Sequence, residues 1–168
     1  MPRQADTERL IHQHLKGVWR YLRMQGASPQ EADDLAQEAF LIALQKRAAA
    51  LDPAATAVFL RRTARFLFLR LRRDHSDAVQ LADEVDALWD RDCGADDGDG
   101  LLQALRECVG KLDERARRAV DLSYGLSTFE PSRRVDVAAE LGLQPNGVKT
   151  LMQRVRQQLR ACVERRQR

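Results

Sequence analysis

Residues 133–160, RRVDVAAELGLQPNGVKTLMQRVRQQLR, read as two short helices joined by a tight turn. Val135, Val137, Ala138 and Leu141 give the first helix an apolar face, and Gly142 stands where a helix end takes a left-handed residue without a Cβ penalty. Pro145 suits the first turn of the next helix, where its missing N–H leaves no bond unmade, and Leu143 just before it can plug the corner. That punctuation is a helix-turn-helix.

Along the second helix Val148, Leu151, Met152, Val155 and Leu159 recur at spacings of three and four, so at 100° per residue they share one side and pack inward. The opposite side carries Asn146, Lys149, Thr150, Gln153, Gln157 and Arg160, with Arg154 and Arg156 on its flanks and no carboxylate among them. Such a face suits a DNA major groove. Its amides and cations can pair with base edges at about 1 to 3 kcal/mol of discrimination per good bidentate contact, while the flanking arginines neutralise phosphates. The plain alternative is an amphipathic helix whose polar face is merely solvated.

Working outward, the rest of the chain fits a helical protein. Its 168 residues, 44% of them hydrophobic, can build one or two small cores; aromatics are 5%, and no stretch reads as a strand. The expected fold is all-α: two small helical domains joined by an acidic flexible linker, the second holding the helix-turn-helix. Charge draws the boundaries. Residues 1–74 hold 13 Lys/Arg against 8 Asp/Glu, residues 75–100 hold 1 against 9, and residues 101–168 hold 14 against 8. Two basic blocks imply a polyanion partner, and the acidic bridge implies a segment that avoids the nucleic acid or occupies a basic channel.

No apolar run approaches the roughly 20 residues needed to span a bilayer. The opening MPRQADTERL has no apolar signal core, so a cytoplasmic protein without membrane insertion is expected. Cys93, Cys108 and Cys162 are odd in number and widely spaced. Neither a disulfide framework nor a CxxC metal knuckle follows from them, and reduced thiols are expected, with Cys108 a small core residue.

In the first block, Leu10, Ile11, Leu15, Val18, Trp19 and Leu22 mark one side of a helix from Asp6 to about Met24. His12 and His14, two apart, point in different directions and make a poor metal pair; they read as surface or core-edge histidines. Ser28-Pro29-Gln30-Glu31 has the form of a capping box with Pro at the first helical position. In the helix it starts, Ala32, Ala36, Ala39, Ile42 and Ala43 gather around Leu35 as the expected core face. Leu41 and Leu44 share the other side with Asp34, Gln37 and Glu38, where acids for basic partners and leucines for apolar contact suit docking on another protein. A helix buried on all sides is the alternative, though buried acids would need partners.

Residues 58–73 read as a further helix, with Leu60, Ala64, Leu67 and Leu71 on one side, extended by Phe59, Thr63 and Phe66. Arg61, Arg62, Arg65, Arg72 and Arg73 form a stripe with Phe68 near them, and no glutamate offsets it between Ala54 and Arg73. That fits contact with a DNA backbone and stacking against an unpaired base. Residues 74–100 have weak helical character around Val79 to Trp89 and finish as ADDGDG, a flexible linker that lacks the ligand spacing and closing Glu of a calcium loop. Beyond it, Leu101, Leu102, Leu105, Cys108, Val109 and Leu112 make one helix, and Asp113 can cap the next; the pair should floor the helix-turn-helix. LSTFEPS, residues 126–132 with Phe129 and Pro131, reads as a surface loop.

Over nearly the whole chain except the linker, these residues resemble a bacterial RNA polymerase sigma factor of the small, extracytoplasmic-function type. DDLAQEAF (33–40) resembles the family's core-binding helix, and FLRRTARFLFLRLRR (59–73) the following helix that contacts the minus-ten promoter element. LRECVGKLDERARRAVDLSY (105–124) with VAAELGLQPNGVKTLMQRVRQQL (137–159) resembles the region that reads the minus-thirty-five element. The resemblance implies two helical domains and an RNA polymerase core partner contacted through Asp34, Leu35, Gln37, Glu38 and Leu41. It implies promoter DNA contacted through Arg61, Arg62, Arg65, Arg72 and Arg73 in the first block, and through Asn146, Lys149, Thr150, Gln153, Arg154 and Arg156 in the second. Control by an anti-sigma factor or another regulator is also implied, and no cofactor or metal is expected. The chain departs from the family in Phe66 and Arg70, where Asn and Asp are frequent, in Asp113, where Pro is frequent, and in the longer connection SYGLSTFEPSRR (123–134).

Two other classes fit less of the chain. A helix-turn-helix transcriptional regulator whose residues 1–74 dimerise or sense a signal leaves the arginine stripe without a task. An interaction module that never meets DNA has no use for a carboxylate-free helix face. No acid/base pair, nucleophile set, phosphate loop or metal spacing marks an enzyme.

Overall fold

The computed structural model describes residues 4–128 and 130–168, and every regular element among them is helical. The chain divides between Gly98 and Asp99 into two compact units. The first contains α1 (Gln4–Met24), α2 (Pro29–Gln45), a single 3-10 turn (Ala48–Ala50), α3 (Pro53–Leu71) and α4 (Asp77–Asp92).

Local chemistry sets the helix starts. The Glu31 N–H donates to Ser28 Oγ at 3.1 Å while the Ser28 N–H donates to Glu31 Oε2 at 2.8 Å, a reciprocal capping box that opens α2. Asp52 caps α3 by accepting from the Ala55 N–H at 2.9 Å. Ala32, Ala36, Ala39 and Ala43 are fully buried, and these small side chains let α2 lie close against both α1 and α3, whose Tyr21, Leu22, Leu60, Ala64 and Leu67 are buried as well.

The inward row of α1 is Leu10, His14, Val18, Tyr21 and Leu22, whereas Ile11 and Leu15, expected inside, face solvent. The apolar arc of this helix is wider than the strip that its neighbours can cover, so its far edge stays outside. His14 is consequently a buried histidine. Desolvation lowers its pKa below the ordinary 6.5, with the charge of Asp97 acting more weakly in the opposite sense. The folded chain thus holds a neutral ring that the unfolded chain protonates more readily. Stability is intact above about pH 6.5 and declines as pH falls through that value toward the lowered folded pKa. Thermal melts between about pH 7 and about pH 5 should show this decline, and His14→Gln should flatten it. Identical pH profiles for the two proteins would count against the buried neutral ring.

The acidic stretch 75–100, expected to be a flexible linker, is mostly α4, and all of it up to Gly98 belongs to the first unit. Ala82, Val85 and Trp89 are buried at helical spacing, and α4 packs on α1 and α3. Trp89 meets Tyr21 edge to face with ring centres 5.6 Å apart. Cys93 is buried just beyond, its thiol pKa pushed up by burial first and by Asp92 and Asp96 next, so it is an inert core thiol.

The second unit contains α5 (Asp99–Gly110), α6 (Glu114–Tyr124), α7 (Arg134–Leu141) and α8 (Pro145–Arg166). Asp113 caps α6 through the Ala116 N–H at 2.8 Å. Leu112, Ala116, Ala119, Val120, Val137, Ala138, Val148, Met152 and Val155 form the core, with Leu141 and Leu143 packed against it. Gly142 has φ +63°, and the Leu143 N–H reaches Ala138 O at 2.9 Å, closing the corner before Pro145 starts α8. Val135 is exposed, because an eight-residue helix turns only Val137, Ala138 and Leu141 toward the core.

The floor of this unit is α6. Instead of joining it, α5 packs on α8, with Ala104 and Cys108 against Val163. Cys108 and Cys162 form a disulfide with their Cα atoms 6.0 Å apart, which corrects the expectation of reduced thiols. Their separation of 54 in sequence carried no sign of the pairing, since the residues become neighbours only when α5 lies along α8. Phe129, in the expected surface loop, lies outside the described residues.

Candidate functional site

On α2 the side opposite the alanines is open. Asp34 and Gln37 are exposed, Leu41 is 59% exposed, and Glu38 lies between them, accepting from Arg70 of α3 at 3.0 Å. These four form an acid-and-leucine ridge, and their exposure excludes a helix buried on all sides. Leu35 does not belong to the ridge. At 8% exposure it is buried on the same side as the alanines.

The arginine row of α3 splits three ways. Arg61 and Arg65 turn toward α4: the Arg61 guanidinium stands 5.8 Å from the Trp89 ring centre and 3.8 Å from the Asp90 carboxylate, and Arg65 lies 2.5 Å from Asp83 and 3.0 Å from Asp86. The Tyr21 hydroxyl donates to Asp86, its pKa driven up by burial first and by this bond second, so Tyr21 keeps its proton and holds α4 from below. Arg72 is structural. It donates twice to Glu31, at 2.8 and 2.7 Å, and covers Phe68 at 5.0 Å; these bonds, and then the Ser28 backbone, hold the Glu31 carboxyl below the ordinary range. Only Arg62 and Arg73 of the five expected DNA contacts are exposed with no carboxylate in ion-pair reach among the described residues.

The aromatic residue on this face also differs from the expected one. Phe68 is 2% exposed and cannot meet a base, whereas Phe66 is 64% exposed in an open cleft with Arg62, Leu69, Arg70 and Arg73. The signal was present in the helix geometry. At 100° per residue Phe66 falls about 40° from Arg62 and about 20° from Arg73, on the outward side.

On α8, Asn146, Lys149, Thr150, Gln153, Arg154 and Arg156 are all exposed, as the inward row of Val148, Met152 and Val155 requires. The Thr150 hydroxyl donates to Asn146 O at 3.1 Å, and Arg156 donates to Tyr124 Oη at 3.3 Å. Lys149 and Arg154 have no carboxylate partner among the described residues, so the positive face is uncompensated.

Both the ridge and the arginine row fall within one recognisable stretch. Residues 10–78 match the family model Sigma-70 region 2. The matched stretch covers most of α1, the whole of α2 and α3, and the first residues of α4. Comparison with curated proteins and with solved structures gave no match.

The matched stretch thus presents two surfaces of different chemistry on adjacent helices. The α2 ridge offers carboxylates and an unburied leucine, the makings of a protein contact. On α3, an exposed ring stands among guanidinium groups, the makings of a contact with unpaired bases and their phosphates. Among the described residues there is no group of three or more His, Cys, Asp or Glu placed to hold a metal ion, and no helix is long and apolar enough to cross a membrane.

Proposed function

We propose that the chain is a sigma factor of the extracytoplasmic-function type, which joins RNA polymerase core enzyme and directs it to promoters. The observation that carries this reading is that the region 2 match falls on the unit whose α2 ridge is exposed and whose α3 face joins free arginines to an open aromatic ring. In this reading Asp34, Gln37, Glu38 and Leu41 meet the polymerase, and Arg62, Phe66 and Arg73 meet the opened minus-ten strand. The unit formed by α5–α8 reads the minus-thirty-five duplex through α8, with α7 and its turn as the first half of a helix-turn-helix. Arg61 and Arg65 reach phosphates only if the carboxylates of α4 give them up. The chemistry belongs to the polymerase; the chain itself needs no cofactor and works in the cytoplasm. An anti-sigma factor or comparable regulator acts by covering the ridge or the basic faces.

Co-purification tests the partner, and a gel shift with and without core enzyme tests the class. A sigma factor retards promoter DNA only with polymerase present, whereas a helix-turn-helix regulator retards its operator alone. Gln153 lies on the outward face of α8, exposed and without a hydrogen-bond partner among the described residues. Gln153→Ala should weaken the promoter complex by about tenfold and leave an unrelated duplex unaffected. Equal losses on both duplexes, or none, would place Gln153 off the base edges.

A further inference from the structure

The described residues of the connection between α6 and α7 are tied back to α6 by hydrogen bonds. Gly125 caps α6 with φ +63°, and a Cβ there would meet the Glu130 backbone at 2.5 Å, so the returning chain closes directly onto it. Asp121 accepts from both the N–H and the hydroxyl of Ser127, at 2.8 and 2.7 Å, and the Ser132 N–H donates to Leu122 O at 2.9 Å. The loop thereby delivers Ser132 and Arg134 to the flank of α8. There they share an open cleft of about 190 Å³ with Tyr124, Lys149 and Arg156, above Val148 and Met152.

Three cations line this cleft, and among the described residues no carboxylate lines it. The neighbouring acid Asp136 is already engaged, accepting from Arg133 at 2.8 Å. Tyr124 Oη accepts from Arg156, which leaves the phenol proton to be donated elsewhere. Like charges gathered without a counter-charge repel one another, and an oxyanion with several acceptor oxygens relieves that repulsion while taking the free donors. The volume suits a phosphate with a few waters and is small for a nucleotide.

We propose that Arg134, Lys149, Arg156 and the hydroxyls of Tyr124 and Ser132 form a phosphate-binding pocket that seats one phosphate of a duplex backbone beside α8. That the phosphate belongs to DNA rests on the reading of α8 given above; the affinity for the oxyanion does not. A phosphate fixed there sets the register of the outward face of α8 on the groove, which gives the long connection a task.

The full-length chain with Arg134→Gln tests the proposal in two arms, with Tyr124→Phe as a second variant that keeps the ring should the first fail to fold. In the first arm the free chain is titrated with inorganic phosphate against chloride at matched ionic strength, following arginine and tyrosine resonances. A saturable response that Arg134→Gln abolishes is expected. In the second arm the chain, assembled with core polymerase, binds promoter and unrelated duplexes over a range of salt. Arg134→Gln should weaken both by about tenfold and reduce the slope of log K against log salt by about 1. A phosphate response with an unchanged salt slope would show that the oxyanion comes from solution and overturn the backbone seat. No response and no change of slope would overturn the pocket. If the wild-type assembly bound no duplex, the α8 reading would fail, and the phosphate titration alone would decide the pocket.

Discussion

Replacing Trp89 with alanine should destabilise the first unit by about 3 to 5 kcal/mol, the range for emptying a large aromatic site in a core. Trp89 is 1% exposed, lies edge-on to Tyr21 and carries the Arg61 guanidinium over its ring, so the truncation opens a cavity and removes two contacts at once. Its indole N–H has no hydrogen-bond partner within the described residues. Trp89→Phe therefore loses volume but no bond, and should lose much less stability than Trp89→Ala. A residue in a flexible linker would tolerate either change within about 0.5 kcal/mol. Denaturant melts followed by circular dichroism separate the cases, and a loss below about 1 kcal/mol for Trp89→Ala would return α4 to the status of a tether. The consequence reaches function. With α4 loosened, Asp83, Asp86 and Asp90 no longer hold Arg61 and Arg65, and the proposed DNA face gains two guanidinium groups.

That contact shows where sequence reading reached its limit. Features set by neighbours along the chain were legible: the Ser28–Glu31 capping box, the Asp113 cap, the Gly142 corner and Pro145 at the start of α8 each depend on residues within a few positions. The outward face of α8 was legible too, being the complement of a regular apolar row. By contrast, α4 has only Ala82, Val85 and Trp89 to bury, and nine acids over residues 75–100 obscure them. What offsets that charge is Arg61 and Arg65 on another helix, a pairing that no local pattern shows. The Arg72 pairing was hidden for the same reason, since its partner Glu31 is 41 residues away. Phe66 and Phe68 exchanged places because two aromatics 200° apart on a helix flanked by arginines fit either side until α1 and α2 define the inside. The Cys108–Cys162 pair is the extreme case, with no local pattern to betray it.

Leu41→Glu should leave the first unit folded while weakening the proposed complex with core polymerase about a hundredfold. Leu41 is 59% exposed, so a polar replacement there changes stability by no more than about 0.5 kcal/mol. On the proposed partner surface the balance is different. An exposed leucine ringed by Asp34, Gln37 and Glu38 has the form of an apolar anchor with a polar rim, and losing such an anchor removes about 2 to 4 kcal/mol of binding. The introduced carboxylate adds a desolvation penalty in the same direction. Glu38→Lys is a less discriminating probe, because it also breaks the Arg70 ion pair and places two cations side by side. Competition binding to core enzyme and a thermal melt of the same preparation decide the matter. Parallel loss of affinity and melting temperature would mean that Leu41 packs inside. Unchanged affinity in a folded protein would remove the ridge from the polymerase contact, and with it the strongest link between the geometry of α2 and a role in transcription initiation.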